Sequence, residues 1–147
     1  MTDSLRSEDL QPHSASAYAW RWQDPHHKIL PSEVLEAIRV VRAEKARELF
    51  PRSLELDRWA REAPTRVFDV DAASAEETAA WLLQLAPADT PVVVSWHLEA
   101  AVLTPWRLFA KHWDAFWYPA SDDVTVFPLS EAWALSCDHA GRYSWRT

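Results

Sequence analysis

One glycine, Gly141, stands against ten prolines and ten tryptophans in this 147-residue chain. Phosphate-cradling loops need several glycines, because a backbone without Cβ lets successive N–H groups approach an anion. The sharp nucleophile elbow of serine hydrolases likewise needs small residues around its turn. A Walker loop, a dinucleotide fingerprint and a kinase glycine loop are therefore excluded. No other catalytic or cofactor motif takes their place, and the chain is read as using no cofactor. A composition 48% apolar and 25% charged fits a single globular domain. At this length a fold buries roughly 68–70% of its unfolded surface, enough for a core without disulfides or metal. Cys137 is the one cysteine and has no partner for an internal disulfide, which fits a reducing compartment and leads us to expect a cytoplasmic protein. No apolar run approaches the ~20 residues of a membrane span. The polar start, Met1 to Leu10, does not read as an export signal, so neither membrane insertion nor export is expected.

Charge is uneven along the chain. Of the formal net charge of −7, residues 1–64 carry almost none, and the remainder carries the acid. Between Arg66 and Arg107 there is no Lys or Arg, while Asp69, Asp71, Glu76, Glu77, Asp89 and Glu99 lie there. Phosphate contacts need cations, so nucleic-acid binding is not expected. The same field favours a basic protein partner.

Residues 1–17 are polar without apolar periodicity and read as a flexible arm, with a single domain over 18–147. Tyr18, Trp20 and Trp22 alternate, which puts three rings on one face of an expected strand. His26 and His27 beside Pro25 read as a surface loop. A first helix is expected from a Ser32 cap to Phe50-Pro51, buried through Val34, Leu35, Ile38, Val41 and Leu49. Pro51 to Pro64 reads as a loop or short helix. Arg66 to Val70 is a strand candidate, and Ser74-Ala75-Glu76-Glu77 is a capping box that opens a second helix ended by Pro87. The apolar run Val92 to His97 reads as a central strand. Thr104 as cap with Pro105 at the first helical position opens a third helix, whose face is Trp106, Phe109, Trp113, Phe116 and Trp117.

The hairpin near the C-terminus is the most constrained element. Asp138-His139-Ala140-Gly141 fits a type I turn with Gly141 left-handed, which pairs Cys137 with Tyr143, Ser136 with Ser144 and Leu135 with Trp145. Trp133, Leu135, Cys137, Tyr143 and Trp145 then share one face. With Val124 to Phe127 before it, this end forms an antiparallel meander. The expected class is α+β, a mainly antiparallel sheet with about three helices packed on one face.

From Val102 onward the chain resembles a family of small uncharacterised bacterial proteins, a domain of unknown function. Val102-Leu103-Thr104, Trp106, Phe109, Trp113 and Phe116, then a strand and an aromatic hairpin, carry the resemblance, with an earlier echo in Trp20-Arg21-Trp22 and Leu30-Pro31. It covers about half the chain through core aromatics, and Pro105 and the near absence of Gly depart from it. It implies architecture and a bacterial origin, and transfers no catalytic residue.

Asp122 and Asp123, in the loop after the aromatic helix, are the first candidate site. Ten tryptophans exceed what so small a domain easily buries with every indole N–H bonded, so some are expected at the surface. Exposed Trp beside Tyr118 and two carboxylates has the composition of a protein-binding hot spot. The expected binding set is thus Trp117, Tyr118, Asp122 and Asp123 in a non-enzymatic, acidic, tryptophan-rich domain that neutralises a basic partner, as immunity proteins do by analogy. A small metal-dependent or acid–base enzyme using His97, His112 and Asp122 or Asp123 is the alternative. A homo-oligomer that hides spare Trp surface is a third reading. Ser95, Ser121 and Ser136 lack a local histidine signature, and Cys137 falls on the apolar face of the hairpin, where a thiol is inert.

Overall fold

The computed structural model describes residues 5–26 and 28–147. The pairing of His26 with His27 in a loop therefore falls partly outside the described residues; His26 itself lies in an exposed turn. The class is α+β: one eight-stranded antiparallel sheet with helices packed on it.

In chain order the elements are β1 (Leu10–Pro12), β2 (Gln23–Asp24), β3 (Lys28–Ile29), α1 (Ser32–Glu36), β4 (Arg39–Val41), α2 (Ala43–Glu62), β5 (Arg66–Asp69), α3 (Ala75–Leu83), β6 (Pro91–His97), β7 (Ala100–Pro105), α4 (Trp106–Lys111), α5 (Trp113–Phe116), β8 (Val124–Pro128), β9 (Ala134–Cys137) and β10 (Arg142–Arg146). The main sheet runs β1-β4-β7-β6-β8-β9-β10-β5, with β2 and β3 as a separate small hairpin. β6 is interior, as its unbroken apolar run requires. Val92 and Val94 enter one core layer with Trp106, Phe109 and Phe116, and Val93 enters the other with Phe127, Leu49 and Ala60. The sheet is thus covered on both faces: α2 takes one, and the shorter helices α1, α3, α4 and α5 take the other. Placing every helix on one side overlooked α2, whose small buried residues Ala46, Ser53 and Ala60 let it lie against the strands.

Several elements differ from expectation. The stretch read as a flexible arm, of which residues 1–4 lie outside the described residues, contains a 3₁₀ turn at Ser7–Asp9 and the edge strand β1, which pairs Leu10 with Val41 and Pro12 with Arg39. Tyr18, Trp20 and Trp22 do not form a strand; Ala19–Trp22 is a 3₁₀ helix that sends Trp22 into the core and leaves Trp20 outside. The long first helix is two helices interrupted by β4, because Arg39 and Val40 gain pairing partners on both sides, in β1 and β7, that a helix would forgo. Pro31, not Ser32, occupies the N-cap of α1. Conversely α2 continues through Pro51, where the missing N–H leaves the Arg47 carbonyl without its helical donor. That loss costs about 3 kcal/mol and is offset by burial of the face either side of it. Thr104 ends in β7 rather than capping a helix, and Pro105 takes the N-cap of α4.

Where local chemistry is decisive, expectation and structure agree. Ser74 Oγ accepts from the Glu77 N–H (3.0 Å) while Glu77 accepts from the Ser74 N–H (2.9 Å), the reciprocal box that opens α3. The β9–β10 register pairs Cys137 with Tyr143, Ser136 with Ser144 and Leu135 with Trp145. Gly141 sits at φ +91° and its N–H donates to the Asp138 carbonyl (3.0 Å).

Candidate functional site

Asp122 and Asp123 stand just before β8, so their side chains leave on opposite sides of the backbone. The loop that delivers them, 117–123, is pinned to the β9–β10 hairpin by the Ala120 N–H, which donates to the His139 carbonyl (2.9 Å).

Asp122 turns inward. It accepts from Arg21 Nη1 (2.5 Å), Arg21 Nη2 (3.2 Å) and the Tyr118 N–H (2.9 Å). Its main-chain carbonyl accepts from Trp117 Nε1 (3.1 Å). Arg21 and Asp122 are only 6% and 7% exposed, and the guanidinium lies over the rings of Tyr118 (4.0 Å) and Tyr18 (4.3 Å). This is a buried forked ion pair that fastens the 3₁₀ segment to the body of the domain. The expected surface set is corrected accordingly. Trp117, 3% exposed, is a core residue, Asp122 is a buried counter-ion, and Tyr118 covers an arginine of its own chain.

The surplus of tryptophan is likewise not at the surface. Indole N–H groups donate to main-chain carbonyls: Trp22 to Ala115 (3.1 Å), Trp96 to Phe116 (2.9 Å), Trp106 to Leu82 (3.1 Å) and Trp113 to Ala75 (3.2 Å). Among the described residues Trp20 alone is exposed, at 55%.

Asp123 turns outward. Its Oδ1 accepts from the His139 N–H (2.9 Å) and lies 3.0 Å from His139 Nδ1. Both side chains line a pocket of about 310 Å³ with Leu54, Asp57, Arg61 and Asp138. Asp57, from α2, accepts from Ser136 Oγ (2.6 Å) and pairs with Arg61 (2.7 Å). Asp138 spends Oδ1 on the N–H groups of Ala140 (3.0 Å) and Arg142 (2.9 Å), which shape the hairpin turn. Three carboxylates thus meet at one pocket, with Arg61 as the one permanent cation in its lining. The side chains that line it present carboxylate acceptors to a cation. His139 was read from the sequence only as a turn residue, and Asp57 was not singled out. The signal available for His139 was its place in the same short loop as Asp138.

The two histidines proposed for an acid–base or metal centre do not join this pocket. His97 is exposed at the end of β6, with its ring 6.2 Å from that of Tyr18. His112 links α4 and α5; burial first, then the charges of Lys28 and Lys111, lower its pKa. Among the described residues no three His, Cys, Asp or Glu side chains are placed to hold a metal ion. Ser95 and Ser136 are buried, and desolvation raises the Cys137 thiol well above its ordinary value. No helix among the described residues is long and apolar enough to cross a membrane. Comparison with protein-family models, curated proteins and solved structures gives no match to this chain.

Proposed function

We propose that this is a non-enzymatic protein-binding domain whose pocket at the end of the β9–β10 hairpin receives a lysine or arginine side chain of a basic partner. The convergence of Asp123, Asp57 and Asp138 on one pocket, opposed by Arg61 alone, carries this reading. Asp57 and Asp138 are held by internal hydrogen bonds, so their charges are fixed in place and a partner's cation meets a preorganised field. Asp123 is the recognition residue, exposed and free of any role in the core. The excess acid of residues 65–147 steers a basic protein towards this end. The mode of action is occlusion, by analogy with proteins that neutralise a basic partner by covering it. A bacterial, cytoplasmic setting belongs to the same proposal and rests on the resemblance from Val102 onward and on the single cysteine, which has no partner for an internal disulfide.

The test is amide chemical-shift titration of the folded protein with a short arginine- and lysine-rich peptide. Saturable shifts at Asp123, Asp138 and His139 are expected, weakening as salt is added. The Asp123→Asn variant should lose about tenfold in affinity. No shift in the wild type, or the same titration in Asp123→Asn, overturns the assignment.

A further inference from the structure

His139 and Asp123 are fastened together by the main chain rather than by their charges alone. The His139 N–H donates to Asp123 Oδ1 (2.9 Å) and the His139 carbonyl accepts from the Ala120 N–H (2.9 Å), so both polar main-chain groups of His139 are tied to the 117–123 loop. Ala120 sits at φ +67°, a left-handed conformation that a residue with a Cβ keeps only where its surroundings hold it. The imidazole therefore stays beside Asp123, with Nδ1 3.0 Å from Oδ1, in either charge state. Both side chains are exposed, so solvent protons and a ligand reach the same two groups. The charges that face the ring come from three further places. α2 supplies Asp57 and Arg61, paired with each other at 2.7 Å. The hairpin turn supplies Asp138, with Arg142 at the start of β10. Behind the turn stands Asp71, whose Oδ2 lies 3.1 Å from the point where a Cβ on Gly141 would stand. Carboxylates and guanidinium groups keep their charge between about pH 5 and 8, whereas imidazole changes its own there. Among the described residues His139 is the only imidazole in the pocket lining.

We propose that His139 is a pH-sensitive gate on the Asp123 pocket: as imidazolium it satisfies the charge of Asp123 and turns a partner's lysine or arginine away, and as neutral imidazole it yields that charge to the partner. The inference rests on the reading of the pocket as a receptor for a partner's cation. Asp123 Oδ1 is committed to His139 in both states, and no group among the described residues bonds Oδ2, which is the atom that meets the partner. Because the main chain fixes the distance, protonation changes the field at Oδ2 without moving the carboxylate. Proton and partner thus compete for one negative charge, so binding weakens as pH falls through the imidazole range and strengthens as it rises. The expected change is about fivefold in affinity, the factor that two unit charges about 4 Å apart in water exchange. Asp57 and Asp138 remain charged throughout, so the gate sets the strength of binding rather than abolishing it.

Two measurements on the full chain at low salt test this: the affinity of the arginine- and lysine-rich peptide at about pH 5.5 and about pH 7.5, and the titration of the His139 ring protons by NMR with and without that peptide. The peptide has no imidazole of its own, so any pH dependence belongs to the protein. Wild type is expected to bind about fivefold more tightly at the higher pH. Because the coupling is reciprocal, saturating peptide should lower the His139 midpoint by about 0.7 pH unit. Without peptide, Asp123→Asn should lower the same midpoint, since the imidazolium loses its counter-ion. His139→Gln, which keeps the main-chain N–H that Asp123 accepts, should bind equally at both pH values. Equal affinity of the wild type at both values, a pH dependence that survives in His139→Gln, or a His139 midpoint that neither peptide nor Asp123→Asn moves overturns the gate and leaves the pocket standing as a receptor. Absence of peptide binding at both pH values overturns the receptor reading itself, and the gate with it.

Discussion

Removing one member of the Arg21–Asp122 pair should be the most damaging single change near the candidate site. In Asp122→Ala the guanidinium loses both Nη contacts, and the Tyr118 N–H loses its acceptor. Water does not replace them easily, since Arg21 is almost wholly covered, and what remains are the ring faces of Tyr18 and Tyr118. Stranding a buried charge in this way costs about 3–5 kcal/mol. For a chain of this size each kcal/mol lowers Tm by about 2–4 °C, so a fall of about 6–20 °C is expected. Arg21→Met should lie at the low end of the range, because it strands a carboxylate that keeps the Tyr118 N–H. The combined Arg21→Met/Asp122→Leu variant should recover much of the loss, since a pair of well-packed apolar side chains avoids the desolvation cost altogether. Urea denaturation of the wild type, both single variants and the double variant closes the cycle. Single variants that each cost under about 1 kcal/mol, or a double variant equal to the sum of the singles, would refute the account of a coupled, buried pair.

Two further outcomes follow from individual side chains. Cys137 is fully buried and its thiol is held well above its ordinary pKa by desolvation. Labelling by a thiol reagent at neutral pH should therefore be undetectable in the folded protein and rapid in urea. The folded-state pKa of His112 lies below the ordinary imidazole value, first through burial and then through Lys28 and Lys111, so the unfolded chain binds the proton more readily. Stability should consequently rise with pH between the depressed folded value and about 6.5, and level off above it. Replacing His112 with Gln should flatten that part of a stability–pH curve.

What could be read in advance was chemistry closed within a few residues. The capping box at Ser74 and Glu77 specifies both partners within four positions, and Gly141 fixes the hairpin register because one left-handed residue determines which side chains oppose each other. What could not be read depended on distant partners. β4 looks helical until β1 and β7 are beside it, and β7 itself went unread because the tight turn at Leu98-Glu99 has no glycine or proline to mark it. Trp22, Trp96, Trp106 and Trp113 looked surplus because the acceptors for their N–H groups, carbonyls of Ala115, Phe116, Leu82 and Ala75, lie in remote segments, whereas the buried Trp145 Nε1 finds no acceptor among the described residues. At the site, Asp123 was legible as an exposed carboxylate on a loop. Its neighbour Asp122 was not distinguishable from it, because Arg21, a hundred positions earlier in the chain, decides that one carboxylate is buried.

The pairing of β5 with β10 also sets a timetable. During synthesis Arg66–Asp69 leaves the ribosome long before Arg142–Arg146, and β10 in turn must first find β9. Until then β5 is unpaired along both sides and the Phe68–Trp81 stack lacks the Tyr143 beside it. Closing so long a loop is entropically slow. The nascent chain therefore spends that interval with an adhesive strand uncovered, flanked by Asp69, Asp71, Glu76 and Glu77, whose charges keep neighbouring polypeptides apart until the sheet is complete.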